Sequence, residues 1–205
     1  MKTTRIEGLY AITPDLNDTA ELLRRAEKVL QGGAAVLQYR NKSTDAAQRR
    51  TDADALRAIA TVCGTLFVIN DDIELAKACG ADGVHIGRDD GDPARARARL
   101  GQDALLGVSC YDDPALARAA AAAGADYVAF GSMYASGTKP QAPPAAITRF
   151  AEVADLGLPR CAIGDITLAR APELIAAGAD LLAVVSDLFD ADDIAARARA
   201  YARLF

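Results

Sequence analysis

The chain has 205 residues, of which 51% are apolar and 25% charged. A chain of this size buries about 70% of its unfolded surface, so it forms a core without a metal or disulfide staple, and disorder and collagen-like structure are excluded. Its net charge of −5 argues against a general nucleic-acid binder.

In chain order, short apolar runs alternate with longer stretches at helical spacing. Strands are predicted at 8–13, 36–40, 66–70, 83–87, 105–110, 127–132, 160–164 and 181–186. Helical segments lie between them, such as 112–123 and 167–177. Asp112 or Asp113 before Pro114 reads as an N-cap, and Gly124 and Gly178 read as helix stops. Gly-Ala-Asp recurs at 80–82, 124–126 and 178–180, each time before a strand. Eight such units predict an α/β fold: a single (β/α)8 TIM barrel of parallel strands, one domain over 1–205. An open doubly wound sheet is the alternative, but GLYAITPDLND carries no GxGxxG.

The longest aliphatic run, Leu181 to Val185, is far short of the ~20 residues of a membrane helix. The opening MKTTRIEGLYAIT has no signal-peptide apolar stretch, so a soluble cytoplasmic protein is expected. Cysteines 63, 79, 110 and 161 form no CxxC pair, and with a single histidine they argue against zinc. Four reduced thiols in the core are expected.

In such a barrel the active site lies where the strands end. Asp71 and Asp90 follow neighbouring strands, about 4.8 Å apart. Two carboxylates that close repel unless a cation or shared proton joins them, and a hard oxygen pair suits Mg²⁺ beside substrate phosphates. Helix capping remains the alternative for both, and helix capping or a solvated loop is the expected role of Asp72 and Asp89. Gln38, Arg40 and Lys42 alternate at the end of one strand and are expected to share a face. Set beside the carboxylates, the two cations suit a Mg-diphosphate ligand; a plain surface pair is the alternative. The loop 131–140 combines glycines, hydroxyls and Lys139 like a phosphate cradle, though it also reads as a small-residue turn. Ser186 is compatible with the phosphate site that barrels place near their last strands. His85, in mid-strand, is expected to be a hydrogen-bonded barrel residue rather than a catalyst.

Together these stretches resemble the thiamine phosphate synthase family. The matching segments are GLYAIT (8–13), QYRNK (38–42), VINDD (68–72), DGVHIGRDD (82–90), GVS (107–109), ADYVAFGSMYASGTKP (125–140), AIGDI (162–166), AGAD (177–180) and VVS (184–186). The resemblance implies a transferase that joins a hydroxymethylpyrimidine diphosphate to a thiazole ethyl phosphate, forming thiamine phosphate and diphosphate. It implies Mg²⁺ at Asp71 and Asp90. It implies pyrimidine diphosphate binding by Gln38, Arg40, Lys42, Asn70, Ser109 and Lys139, with Arg40, Lys42 and Lys139 assisting departure of the diphosphate. It implies thiazole phosphate binding by Ser136, Thr138, Gly164, Asp165, Val185 and Ser186. The partners expected are these small molecules, with no nucleic acid or membrane; a homodimer is left open.

Three positions depart from the family pattern. Ser136 replaces a threonine, Arg88 a glutamine, and Asp165 the second glycine of AIGGI. Asp165 is expected to turn from the substrate dianion towards Arg170 or Arg160. The nearest rival is a thiazole tautomerase on the same barrel, which does not need the pyrimidine diphosphate set. A Schiff-base aldolase needs a strand lysine, and no predicted strand has one. A non-catalytic phosphate-binding barrel is suggested only by Asp165.

Overall fold

The computed structural model describes residues 6–134 and 144–205. Its strands are β1 (Gly8–Ile12), β2 (Val36–Tyr39), β3 (Leu66–Asn70), β4 (Gly83–Ile86), β5 (Leu105–Tyr111), β6 (Tyr127–Phe130), β7 (Arg160–Ile163) and β8 (Leu181–Val184). They close in chain order into one barrel, and every neighbouring pair is parallel. The strands match the predicted ones, but six end one or two residues early. There the chain leaves the ladder for the mouth. Ser186, for example, already belongs to a helix.

Helices α1 (Thr19–Gln31), α2 (Ala46–Cys63), α3 (Ile73–Cys79), α4 (Pro93–Leu100) and α5 (Pro114–Ala122) follow the first five strands. The rest are α6 (Arg149–Glu152), α7 (Ala171–Ala176), α8 (Ser186–Phe189) and α9 (Ile194–Ala202). Aspartate caps many of them: the side chains of Asp18, Asp45, Asp72, Asp92, Asp113 and Asp193 each accept a first-turn amide. Much of the acidic excess is therefore structural. Asp72 caps α3, and α4 is capped by Asp92 while Asp89 lies exposed in the loop before it, the two roles expected for this pair. Asp113, not Asp112, caps α5; Asp112 accepts from Arg149 and the Ala146 amide. α7 starts at Ala171 rather than 167, because Thr167 to Arg170 form a turn and Pro172 sets the first helical residues.

Strand alternation divides the core in two. Tyr10, Ile12, Val36, Val68, Tyr127, Ala129, Cys161, Leu181 and Ala183 fill the lumen. Leu9, Leu37, Phe67, Val84, Leu106, Val128 and Leu182 face outward into the helix layer. Two of the expected core thiols are there: Cys110 and Cys161 are buried, while Cys79 is half-buried and Cys63 is exposed at the end of α2.

The Gly-Ala-Asp repeat is a clasp at the floor of the barrel. Gly80, Gly124 and Gly178 turn the chain out of their helices at positive φ. Asp82 Oδ2 then accepts the Phe67 amide at 2.7 Å, Asp126 Oδ2 the Leu106 amide at 2.7 Å, and Asp180 Oδ2 the Arg160 amide at 2.9 Å. Each carboxylate also pairs with an arginine: Arg57, Arg97 and Arg160. The clasps bind β3 to β4, β5 to β6 and β7 to β8. At the matching place between β1 and β2 the sequence reads Gly33-Ala34-Ala35, without the carboxylate.

Candidate active site

The mouth is built at the strand ends opposite the clasps. β3 and β4 pair with Asn70 beside His85. Asp71 follows at φ 64°, a left-handed conformation that aspartate tolerates better than most residues. Its amide donates to His85 O at 2.8 Å, and Asn70 Nδ2 donates to its Oδ2 at 2.5 Å. Asp90 is fixed by the Gly87 amide, which donates to its Oδ2 at 2.7 Å. The two carboxyls meet. Partial burial first, then the hydrogen bond and charge of Asp90, push the Asp71 carboxyl up to about 6, against the pull of Lys42 and Arg40. A pair that repels enough to hold a proton is a pair that a divalent cation relieves, so these donors fit Mg²⁺. Among the described residues no three acidic, histidine or cysteine side chains converge.

A cavity of about 580 Å³ opens at this pair, lined also by Asn41, Lys42, Arg49 and Asn70. A second, of about 790 Å³, is lined by Asp15, Arg40, Gly164, Asp165, Val185 and Ser186. Lys42 lines the first cavity and Arg40 the second, and the charges of both reach the Asp71 carboxyl. β2 ends at Tyr39, so alternation ends before them. Asp15 holds this end of β2: its carboxylate accepts from Arg40 Nη1 at 2.8 Å and from the Lys42 backbone amide at 3.2 Å. Asp15 was missed in the sequence. Its available signal was an acid after strand 1 beside the basic end of neighbouring strand 2.

Asp165, at φ 50°, turns to Arg170, whose Nη1 donates to its Oδ2 at 3.0 Å and to its carbonyl at 2.8 Å. The Arg170 guanidinium also lies 4.3 Å over the Tyr134 ring. Arg160, the other candidate partner, is taken by Asp180. Arg88 is held 4.5 Å over the Tyr111 ring. Ser136, Thr138 and Lys139 lie outside the described residues.

Beneath the mouth, five side chains form one hydrogen-bonded series across the lumen. Gln38 Nε2 donates to Tyr10 Oη at 2.8 Å, and Tyr10 Oη meets Tyr127 Oη at 2.8 Å. Tyr127 Oη meets His85 Nδ1 at 3.0 Å, and His85 Nε2 meets Ser109 Oγ at 2.8 Å. Gly107 makes room for it, since a Cβ there would lie 2.0 Å from Tyr127 Cζ. Desolvation brings the His85 imidazole down to about 4, so it is neutral near pH 7. The tyrosines were not singled out in the sequence; their signal was an aromatic at inward parity and a glycine in mid-strand.

Residues 9–188 match the sequence profile of the family described as thiamine monophosphate synthase. The chain is 55% identical to the thiamine-phosphate synthase of Chromobacterium violaceum over 201 residues, 98% of this chain and 97% of that one. It is 56% identical to that of an Azoarcus species over 202 residues, 98% of each chain. The solved thiamine phosphate pyrophosphorylase of Pyrococcus furiosus superposes with a TM-score of 0.86 at 26% identity, covering 98% of this chain and 96% of that one. A 3-hexulose-6-phosphate synthase superposes at 0.72 with 19% identity over 97% and 99% of the chains, a likeness of fold alone.

Proposed function

The chain belongs to the thiamine monophosphate synthase family, and from that premise we propose how its own residues make thiamine phosphate. The substrates are a 4-amino-2-methyl-5-hydroxymethylpyrimidine diphosphate and a thiazole ethyl phosphate. Gln38, Asn70 and Ser109 hold the pyrimidine. Asp71 and Asp90 would hold Mg²⁺, which neutralises charge on the departing diphosphate when bound. Lys42, Arg40 and Lys139 stabilise the same charge as the C–O bond breaks. The aminopyrimidine delocalises the positive charge left on its methylene. Gly164, Val185 and Ser186, with Ser136 and Thr138, hold the thiazole phosphate so that its nitrogen meets that carbon. Neither a nucleophilic side chain nor a strong base is required, in keeping with a neutral, buried His85.

The acid pair carries this proposal: Asp71 and Asp90 meet at adjacent strand ends in the cavity that Lys42 also lines. Incubation of purified protein with both substrates and Mg²⁺ tests it, with diphosphate and thiamine phosphate measured together. Equimolar formation of both is expected, and its absence overturns the proposal. We place the reaction in the cytoplasm, where four free thiols are at home. Among the described residues no helix is long and apolar enough to cross a membrane.

A further inference from the structure

The hydrogen-bonded series under the mouth has a direction. Gln38 donates to Tyr10. The buried Tyr10 hydroxyl has no acceptor in the series but Tyr127, so pairing its one proton sends it to Tyr127, and the Tyr127 proton is then paired only by His85 Nδ1. A neutral imidazole whose Nδ1 accepts carries its proton on Nε2, and that proton goes to Ser109 Oγ. The Ser109 hydroxyl proton is then left to donate at the mouth. At the other end, Gln38 Oε1 takes no hydrogen bond among the described residues and remains an acceptor. The reverse order requires the Gln38 amide to turn over and every proton in the series to shift. The two ends are therefore complementary: an acceptor at Gln38 goes with a donor at Ser109.

We propose that Tyr10, Tyr127 and His85 form a buried relay that makes Gln38 and Ser109 select a 4-aminopyrimidine over its 4-oxo counterpart. This rests on the proposed function, in which Gln38 and Ser109 hold the pyrimidine. An aminopyrimidine offers an N–H donor beside a ring-nitrogen acceptor. The 4-oxo form offers a carbonyl acceptor beside an N–H donor. The first edge fits the order above, and the second requires its inversion throughout. Tyr10, Tyr127 and His85 are positioning residues, closed off from the mouth at 1%, 1% and 8% exposure. In so dry a site, a mismatched edge leaves buried polar groups unpaired.

The chain has one histidine, so ¹⁵N-histidine labelling of untagged protein reports on a single imidazole. In complex with the aminopyrimidine diphosphate the expected tautomer carries its proton on Nε2. A proton on Nδ1 in that complex overturns the relay. Calorimetric affinities for the 4-amino and 4-oxo pyrimidine diphosphates, with Mg²⁺ and no thiazole phosphate, give a second measure. The unmodified protein should prefer the amino form by on the order of 100-fold. Tyr127→Phe should cut that preference at least about tenfold; Tyr10→Phe serves if that variant does not fold. Equal weakening for both ligands, with the ratio kept, reduces the relay to a structural role and refutes it. Gln38→Ala and Ser109→Ala probe the premise separately. If neither alters either affinity, the pyrimidine is held elsewhere and the proposed contacts fail as well.

Discussion

Two carboxylates at the mouth behave differently because their neighbours differ. Asp71 faces another acid and is driven to keep its proton up to about pH 6, whereas Asp165 faces Arg170 and has its charge answered. Asp71→Ala should lower kcat/KM for thiamine phosphate formation by on the order of 100-fold or more. A full rate at low Mg²⁺ would rule out the proposed metal role of Asp71. Asp165→Gly should shift the KM for the thiazole phosphate by less than about fivefold, roughly 1 kcal/mol. A much larger gain in affinity would show the carboxylate opposing the substrate despite its arginine. Polar residues at strand ends were legible in the sequence because parallel strands put all such ends at one mouth. The partner that holds Arg40 was not legible. It is Asp15, and the reach of its loop across to β2 is a tertiary contact with no local pattern.

The strands were legible because each is a short apolar run closed by a polar or glycine residue, and a parallel sheet buried on both faces demands that. Helix starts were legible where an aspartate precedes proline, as at Asp113, and less so at α7, where a turn intervenes before Pro172. The Gly-Ala-Asp repeat was visible, but its purpose was not, since its carboxylates reach back 15 and 20 residues to strand amides. Its three copies should not be equivalent. The Arg97 side chain beside Asp126 is 8% exposed, while the Arg57 side chain beside Asp82 is 28% exposed. Asp126→Ala should therefore cost about 3 kcal/mol and Asp82→Ala about 1 kcal/mol, read from denaturant midpoints. Equal losses would mean that the strand amide, and not the buried guanidinium, sets the cost.

Across the whole barrel, two groups make opposed demands on pH. Asp71 has its folded pKa raised to about 6 from 3.8, so between these values the folded chain binds a proton that the unfolded chain has lost. Its contribution to stability is complete below about pH 4 and is lost as pH rises through about 6. His85 is lowered from 6.5 to about 4, so its contribution is complete above about 6.5 and is lost as pH falls towards 4. The bare stability curve thus blends two opposite slopes. The difference made by Mg²⁺ separates them, because at the proposed site the cation would replace the proton at Asp71 only. Mg²⁺ should raise the Tm at pH 7.5 and do little at pH 5, and Asp71→Asn should abolish the difference. An equal rise at both values would place the cation elsewhere. The clasps carry a consequence for how this barrel divides. A chain cut between residues 101 and 104 leaves each carboxylate on the same piece as the strand amide it binds, Asp82 with Phe67 on one side and Asp126 with Leu106 on the other. A cut at Ala123 parts Asp126 from Leu106. The first two fragments should find each other and restore turnover when mixed, and the second two should not: this barrel is a set of strand pairs fastened by hydrogen bonds, and its permissible seams run between them.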